Sequence, residues 1–159
     1  MPNRPEIVLY TDGAASGNPG PGGWAAVLIC GNLRKELSGG FAVTTNNRME
    51  LLAVIQGLEA IKWQNAEVTV YSDSQYVVKA ITEGWLDNWV LKNWKKVKNP
   101  DLWQRFLPLY RSHRVNFRWV KGHNGLPENE RCDQLAVAAY QQPQLPEDEG
   151  YILTKQNEQ

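Results

Sequence analysis

The sequence predicts an α/β fold: a mixed five-stranded sheet, with three antiparallel meander strands plus two parallel strands, flanked by helices. Three observations carry this expectation. The first 43 residues hold three β-rich runs whose connections are too short for crossovers. From Leu51 the apolar spacing becomes helical, and strands then alternate with helices. At 159 residues, with 42% hydrophobic and 21% charged side chains, the chain has the size and composition of one ordinary domain with a buried core. A disordered tail, a collagen-like repeat and a disulfide-stapled mini-domain are excluded. No apolar run reaches the ~18 residues of a membrane span, and the first six residues show no secretory signal. Cys30 and Cys132 read as free thiols, so a cytoplasmic location is expected.

Residues 6–12 form a β-rich run ending at Asp12. Residues 13–23, with five glycines and two prolines, read as a loop or wide turn. Residues 24–30 are a nearly continuous apolar strand, Gly31-Asn32 a tight turn, and residues 33–43 a third strand. Leu51, Val54, Ile55, Leu58 and Ile61 then make one helical stripe. Residues 68–73 return to strand, and Tyr76, Val77, Ala80 and Ile81 mark a second helix. A Trp- and Lys-rich segment, read as helical, runs to Asn99-Pro100, and Asp101 can cap a helix carrying Leu102, Phe106 and Leu109. Residues 115–120 alternate as a strand, and the last helix begins near Pro127 with Cys132, Leu135, Ala136 and Ala139 on its stripe. Beyond Gln142 the chain is acidic and broken by Pro143 and Pro146, so residues 143–159 are expected to be a loosely ordered tail.

The formal net charge is zero, but it is unevenly distributed. Residues 1–78 balance to −2, residues 79–121 to +7 and residues 122–159 to −5. A positive middle in a neutral chain points to a local anionic partner. Trp85, Trp89, Trp94 and Trp103 fall within this stretch, interleaved with Lys92, Lys95, Lys96 and Lys98. Lysines among large aromatics suit a surface that tracks a phosphate backbone. The alternative is an amphipathic helix with its tryptophans in the core and its lysines in water.

Asp12 and Asp73 each end an apolar strand, where sites form in open α/β sheets. Glu50 falls in the first turn of the long helix, and Asp133 about two turns into the last. No lysine or arginine immediately flanks the strand-end pair. Carboxylates converging without basic partners repel and raise each other's pKa unless a cation holds them. An all-oxygen set favours Mg²⁺ or Mn²⁺, and a pair of such ions can activate water against a phosphodiester. Taken singly, each residue has another reading: Asp12 and Asp73 as turn formers, Glu50 paired with Asn47 in a helix cap, Asp133 as a solvated surface residue. His123, in a glycine-flanked loop, is a candidate proton carrier, or simply a surface histidine. The run from Gly17 to Gly23 is no phosphate loop, because it lacks the Gly-Lys-Ser/Thr ending and precedes a strand.

Several motifs together resemble bacterial type 1 ribonuclease H. They are Tyr10-Thr-Asp-Gly13, Gly17-Asn-Pro-Gly-Pro-Gly-Gly23, Thr44-Thr-Asn-Asn-Arg-Met-Glu50, Ser72-Asp-Ser-Gln75, Asp101-Leu-Trp-Gln-Arg105, and Val120-Lys-Gly-His123 with Pro127-Glu-Asn-Glu-Arg-Cys-Asp133. The resemblance runs in order from residue 6 to about 142 and implies a ribonuclease H-like fold, with residues 1–142 a single catalytic domain. It further implies an endonuclease that hydrolyses the RNA strand of RNA–DNA hybrids with two metal ions, leaving 5′-phosphate and 3′-hydroxyl ends. By the same resemblance Asp12, Glu50, Asp73 and Asp133 would hold Mg²⁺, with Mn²⁺ able to substitute, and His123 would assist proton transfer or product release. Gly13, Asn18, Asn46, Asn47 and Gln75 would touch the minor groove, and Glu50 a ribose 2′-hydroxyl. Thr45 would hold a DNA-strand phosphate, while Trp85, Asn99 and Trp103 match the DNA-binding channel. Residues 85–99 resemble the family's basic protrusion, shortened, with Val90-Leu91 where relatives carry a basic pair. A monomer is expected, and so is weaker backbone attraction than in fully basic relatives. A non-catalytic hybrid-binding module is the competing reading, and a strand-transfer core on the same fold a third.

Overall fold

In a computed structural model, which describes residues 4–121 and 126–157, one mixed sheet lies between two helical layers. The strands are β1 (Glu6–Ala15), β2 (Gly20–Cys30), β3 (Leu33–Thr44), β4 (Glu67–Ser72) and β5 (Arg114–Trp119), in the order β3-β2-β1-β4-β5. The first three pair antiparallel, and β4 and β5 join β1 in parallel. The helices are α1 (Asn46–Glu59), α2 (Gln75–Thr82), α3 (Trp85–Leu91), α4 (Pro100–Ser112), α5 (Pro127–Tyr140) and α6 (Glu149–Asn157). No helix among the described residues is long and apolar enough to cross a membrane.

The continuous apolar run of β2 follows from burial on both faces. Trp24, Ala26 and Leu28 join the larger core beneath α1 to α4, whereas Ala25 and Val27 face Cys132 and Ala136 of α5. In β1 and β4 only one face is fully buried, and their alternation shows it: Ile7, Leu9, Val68 and Val70 point into the larger core. Helix α1 is buried beyond its expected stripe, at Met49, Leu52 and Ala53 as well, because α4 covers its outer side.

Four expectations change. The glycine-rich stretch is not one loop, since β1 continues to Ala15 and β2 begins at Gly20. Its glycines serve close approach: a Cβ on Gly13 would overlap the backbone of Met49 and Glu50, and one on Gly23 the carbonyl of Ala136. Both helical layers therefore press directly on this hairpin. The Trp/Lys segment is helical only as far as Leu91, after which Asn93, Trp94, Lys96 and Asn99 take positive φ. Asp101 does not cap α4, because Asn99 occupies the cap position and Pro100 starts the helix. Finally, the tail is not loosely ordered. It forms α6, with Asp148 and Tyr151 buried, and the ion pair from Asp148 to Arg48 Nε measures 2.8 Å.

Candidate active site

The acidic residues are gathered by sheet register and helix contact. In the parallel β1/β4 pair the last matched residues are Tyr10 and Tyr71, whose rings stack 5.0 Å apart. Asp12 and Asp73 each follow two residues later, where the strands part. Asp12 is thus inside β1, opposite Ala25 of β2, rather than at the strand's end. Glu50 is the fifth residue of α1, past the first turn, and the bare backbone of Gly13 lets it close over the pair. Thr45 caps α1, accepting from Arg48 N at 3.2 Å, so Glu50 is not needed as a cap partner.

Asp12, Glu50 and Asp73 each offer a carboxylate oxygen, and these three atoms lie within 4.8 Å of one another. Asp12 and Glu50 are only 8% and 4% exposed. Asp12 Oδ1 accepts from Gly13 N at 2.9 Å, but Glu50 Oε2 and Asp73 Oδ1 are buried without a hydrogen-bond partner. None of the ion pairs among the described residues involves Asp12, Glu50, Asp73 or Asp133. Burial, then the charges of Asp73 and Asp133, push the Asp12 carboxyl up to about 8. Burial likewise raises Glu50 well above the usual carboxylate range, with Asp12 and Asp73 adding to it, and raises Asp73. Desolvation therefore leads, with the repulsion read from the sequence second.

The three open into a cavity of about 230 Å³ that Asp133 also lines. Gly13 and Asn46 belong to the same wall, and Lys121 is its one basic residue among those described. Asp133 is held there by its neighbour: Cys132 is buried under β1, its Sγ 3.4 Å from the Tyr10 carbonyl. Orphaned, buried, all-oxygen donors without a basic partner fit a hard divalent cation.

A second cavity, of about 270 Å³, brings together Asn18, Thr45, Asn47, Lys98 and Asn99. The Asn46 N–H donates to Asn18 Oδ1 at 2.9 Å, tying this wall to the first. Asn99 is pinned on both sides of its amide: it donates to the Tyr76 hydroxyl at 3.1 Å and accepts from Arg48 at 3.3 Å.

The RNase H family profile matches residues 4–141. This chain belongs to the ribonuclease H family. It is 59% identical over 151 residues to a ribonuclease H of Desulforamulus reducens, covering 92% of this chain and 94% of that one. A ribonuclease H of Nitratidesulfovibrio vulgaris is 54% identical, covering 92% and 96%. Among solved structures, LC9-RNase H1 superposes with a TM-score of 0.81 at 32% identity, covering 89% of this chain and 74% of that one. LC11-RNase H1, crystallised with an RNA/DNA hybrid, gives 0.62 at 28%, covering 85% and 96%.

Within this ribonuclease H the remaining candidates fall unevenly. Gln75 is exposed at the start of α2. Trp85 is 40% exposed and its ring lies 6.4 Å from that of Trp89, a neighbour one helical turn on. Lys92, Lys95, Lys96 and Lys98 are all exposed, but among them only Lys98 reaches the second cavity. Trp103 corrects the reading: it is fully buried, and its Nε1 donates to the Tyr76 hydroxyl at 2.8 Å. Its link to Asn99 runs through the Tyr76 hydroxyl, to which both donate. His123 lies outside the described residues.

Sequence reasoning missed Tyr76, Asn129, Glu130, Lys121 and Trp119. Asn129 lines the acidic cavity with an orphaned buried Oδ1, and its place four residues before Asp133 on one helix was a readable signal. Trp119 Nε1 donates to the Asp73 carbonyl at 3.2 Å, steadying the backbone of that carboxylate. Only the parallel packing of β4 on β5 brings these two together, and no local pattern shows it.

Proposed function

We propose that this ribonuclease H cuts the RNA strand of RNA–DNA hybrids endonucleolytically, by metal-dependent attack of water that leaves 5′-phosphate and 3′-hydroxyl ends. The observation that supports it most is the set of three carboxylates, without a basic partner and with Glu50 Oε2 and Asp73 Oδ1 unsatisfied, facing one open cavity that Asp133 also lines. Asp12, Glu50, Asp73 and Asp133 would hold two Mg²⁺ ions, or Mn²⁺. When bound, such ions supply a nucleophile at neutral pH and neutralise charge on the leaving oxygen. Burial raises both the Asp12 and the Glu50 carboxyl, so to be held there the ions would have to compete with protons for these two ligands. Gly13 N–H orients the Asp12 carboxylate. His123 would carry a proton to or from the products.

Specificity would arise across two adjoining cavities. Gly13 and Asn46 at the acidic cavity, Asn18 and Asn47 at the second, and Gln75 on α2 would read the minor groove. Glu50 would sense the ribose 2′-hydroxyl there. Thr45 keeps its hydroxyl proton for a DNA-strand phosphate, because its oxygen accepts from Arg48 N. Asn99 and Trp85 would flank that strand, with Trp103 and Tyr76 holding Asn99 in place. A monomer in the cytoplasm completes the proposal.

The test incubates the protein and an Asp73→Asn variant with Mg²⁺ and end-labelled hybrid, RNA–RNA and DNA–DNA duplexes. Cleavage confined to the hybrid's RNA, and abolished in the variant, is the expected result. Binding of the hybrid with no cleavage in Mg²⁺ or Mn²⁺ would transfer the reading to a binding module.

A further inference from the structure

Trp119 ends β5 and is 48% exposed, so burial does not explain a tryptophan at this position. Its indole N–H donates to the Asp73 carbonyl at 3.2 Å, and no backbone N–H among the described residues bonds that carbonyl. The paired register of β4 and β5 ends one residue earlier, at Ser72 with Trp119. On either side of Asp73 the chain is already fixed. The Val120 N–H donates to the Ser72 carbonyl at 2.9 Å and the Ser74 N–H to Ser72 Oγ at 3.1 Å. Ser74 in turn caps α2, its Oγ accepting from the Val77 N–H at 3.2 Å. Asp73 is therefore the single link between a strand and a helix, and the indole restrains the peptide on its far side. The carboxylate on that link has Oδ1 buried without a hydrogen-bond partner, and offers an oxygen within 4.8 Å of those of Asp12 and Glu50.

The chain leaving β5 takes Val120 and Lys121 onto the wall of the acidic cavity, but β5 itself supplies no carboxylate. Its contribution is made through the main chain of the neighbouring strand. Carboxylates crowded together without a cation repel, so each needs a hold other than its neighbours if the set is to be ready for an ion. We infer that Trp119 is a positioning residue for the metal site: its indole N–H holds the Asp73 main chain so that the carboxylate stands ready to ligate a divalent cation. The inference rests on the metal-dependent reading and goes beyond it, in making cation affinity depend on a residue that ligates nothing. Loss of one neutral hydrogen bond of this kind should weaken cation binding about threefold to tenfold.

The experiment titrates Mg²⁺ and Mn²⁺ into the full chain by calorimetry without hybrid, and follows the indole ¹H–¹⁵N resonances in the same titration. Trp119→Phe keeps an aromatic ring and removes the donor, and Trp119→Leu removes both. Each should raise the cation Kd about threefold to tenfold, and raise by the same factor the Mg²⁺ needed for half-maximal cleavage. The KM for hybrid at saturating Mg²⁺ should stay at the wild-type value. In the wild type, the indole signal that Trp119→Phe lacks should shift as the cation binds. Trp63→Phe, at a 44% exposed tryptophan ahead of the opposite end of β4, should change none of these. Wild-type cation affinity in Trp119→Phe and Trp119→Leu would overturn the inference while leaving hybrid cleavage intact. A raised KM with unchanged cation affinity would overturn it too, making Trp119 a contact to the hybrid. So would failure of both variants to fold, which would make the indole a structural brace. If the wild type bound no divalent cation, both this and the reading beneath it would fall.

Discussion

Asp12 shows what three crowded carboxylates do to a folded chain before any cation arrives. Its carboxyl titrates near 8 in the native state against about 4 when unfolded, because it is buried beside Asp73 and Asp133. The native state therefore holds a proton that the unfolded chain releases. Stability from this group is complete below pH ~4 and is lost as pH climbs towards 8. Thermal melts without metal should fall across that window, and Mg²⁺ should restore more stability at pH 8 than at pH 5. Asp12→Asn should raise the metal-free melting temperature at pH 8, at about 2–4 °C per kcal/mol of repulsion removed, while abolishing cleavage. A pH-independent melting temperature would contradict this. Gly13 is the complementary case. Gly13→Ala puts a methyl into the α1 backbone beside Glu50, so about 1–3 kcal/mol of stability should go, along with much of kcat. Urea unfolding and initial rates read the two losses separately. Neither effect shows in a local pattern: the sequence displays the acids and the glycine, but the desolvation comes from α1 lying on β1.

At the level of elements, the tie between α1, α4 and α6 is the one to break. Arg48 is 1% exposed and serves two carboxylates, Asp148 at the residue before α6 and Asp101 in α4. Arg48→Ala strands the buried Asp148, so a loss of about 3–5 kcal/mol is expected in urea unfolding. Asp101 is more open to water and should contribute far less. A subtler change is Trp103→Phe, which keeps the ring in the core but deletes the donor to Tyr76. It should cost about 1 kcal/mol and raise KM rather than lower kcat, since the loosened residue is Asn99. The strands and long helices were readable because period and length announced them. The boundaries around the glycines were not, because those glycines answer to helices that pack on them from Met49 and Ala136. Nor was α6, whose burial depends on an arginine a hundred residues earlier.

Along the whole chain the positive charge lies in the middle, between two acidic ends. With Val90 and Leu91 uncharged in the segment 85–99 and only Lys98 of its four lysines at the second cavity, we expect the salt dependence of hybrid binding to be shallower than in relatives that carry more basic residues there. Parallel titrations with such a relative decide it, and equal slopes would refute the expectation. Four carboxylates scattered from residue 12 to residue 133 were legible as a set, and the fold brings them around one cavity. The Arg48–Asp148 tie has a last consequence, which concerns time. A chain is synthesised from its amino end, so this guanidinium leaves the ribosome long before the carboxylate that receives it. Until then the core would have to close over a cation lacking its main partner, which is unfavourable. The tie that buries Arg48 can therefore close only once Asp148 has been made, and a chain cut short before Asp148 leaves this buried guanidinium without it.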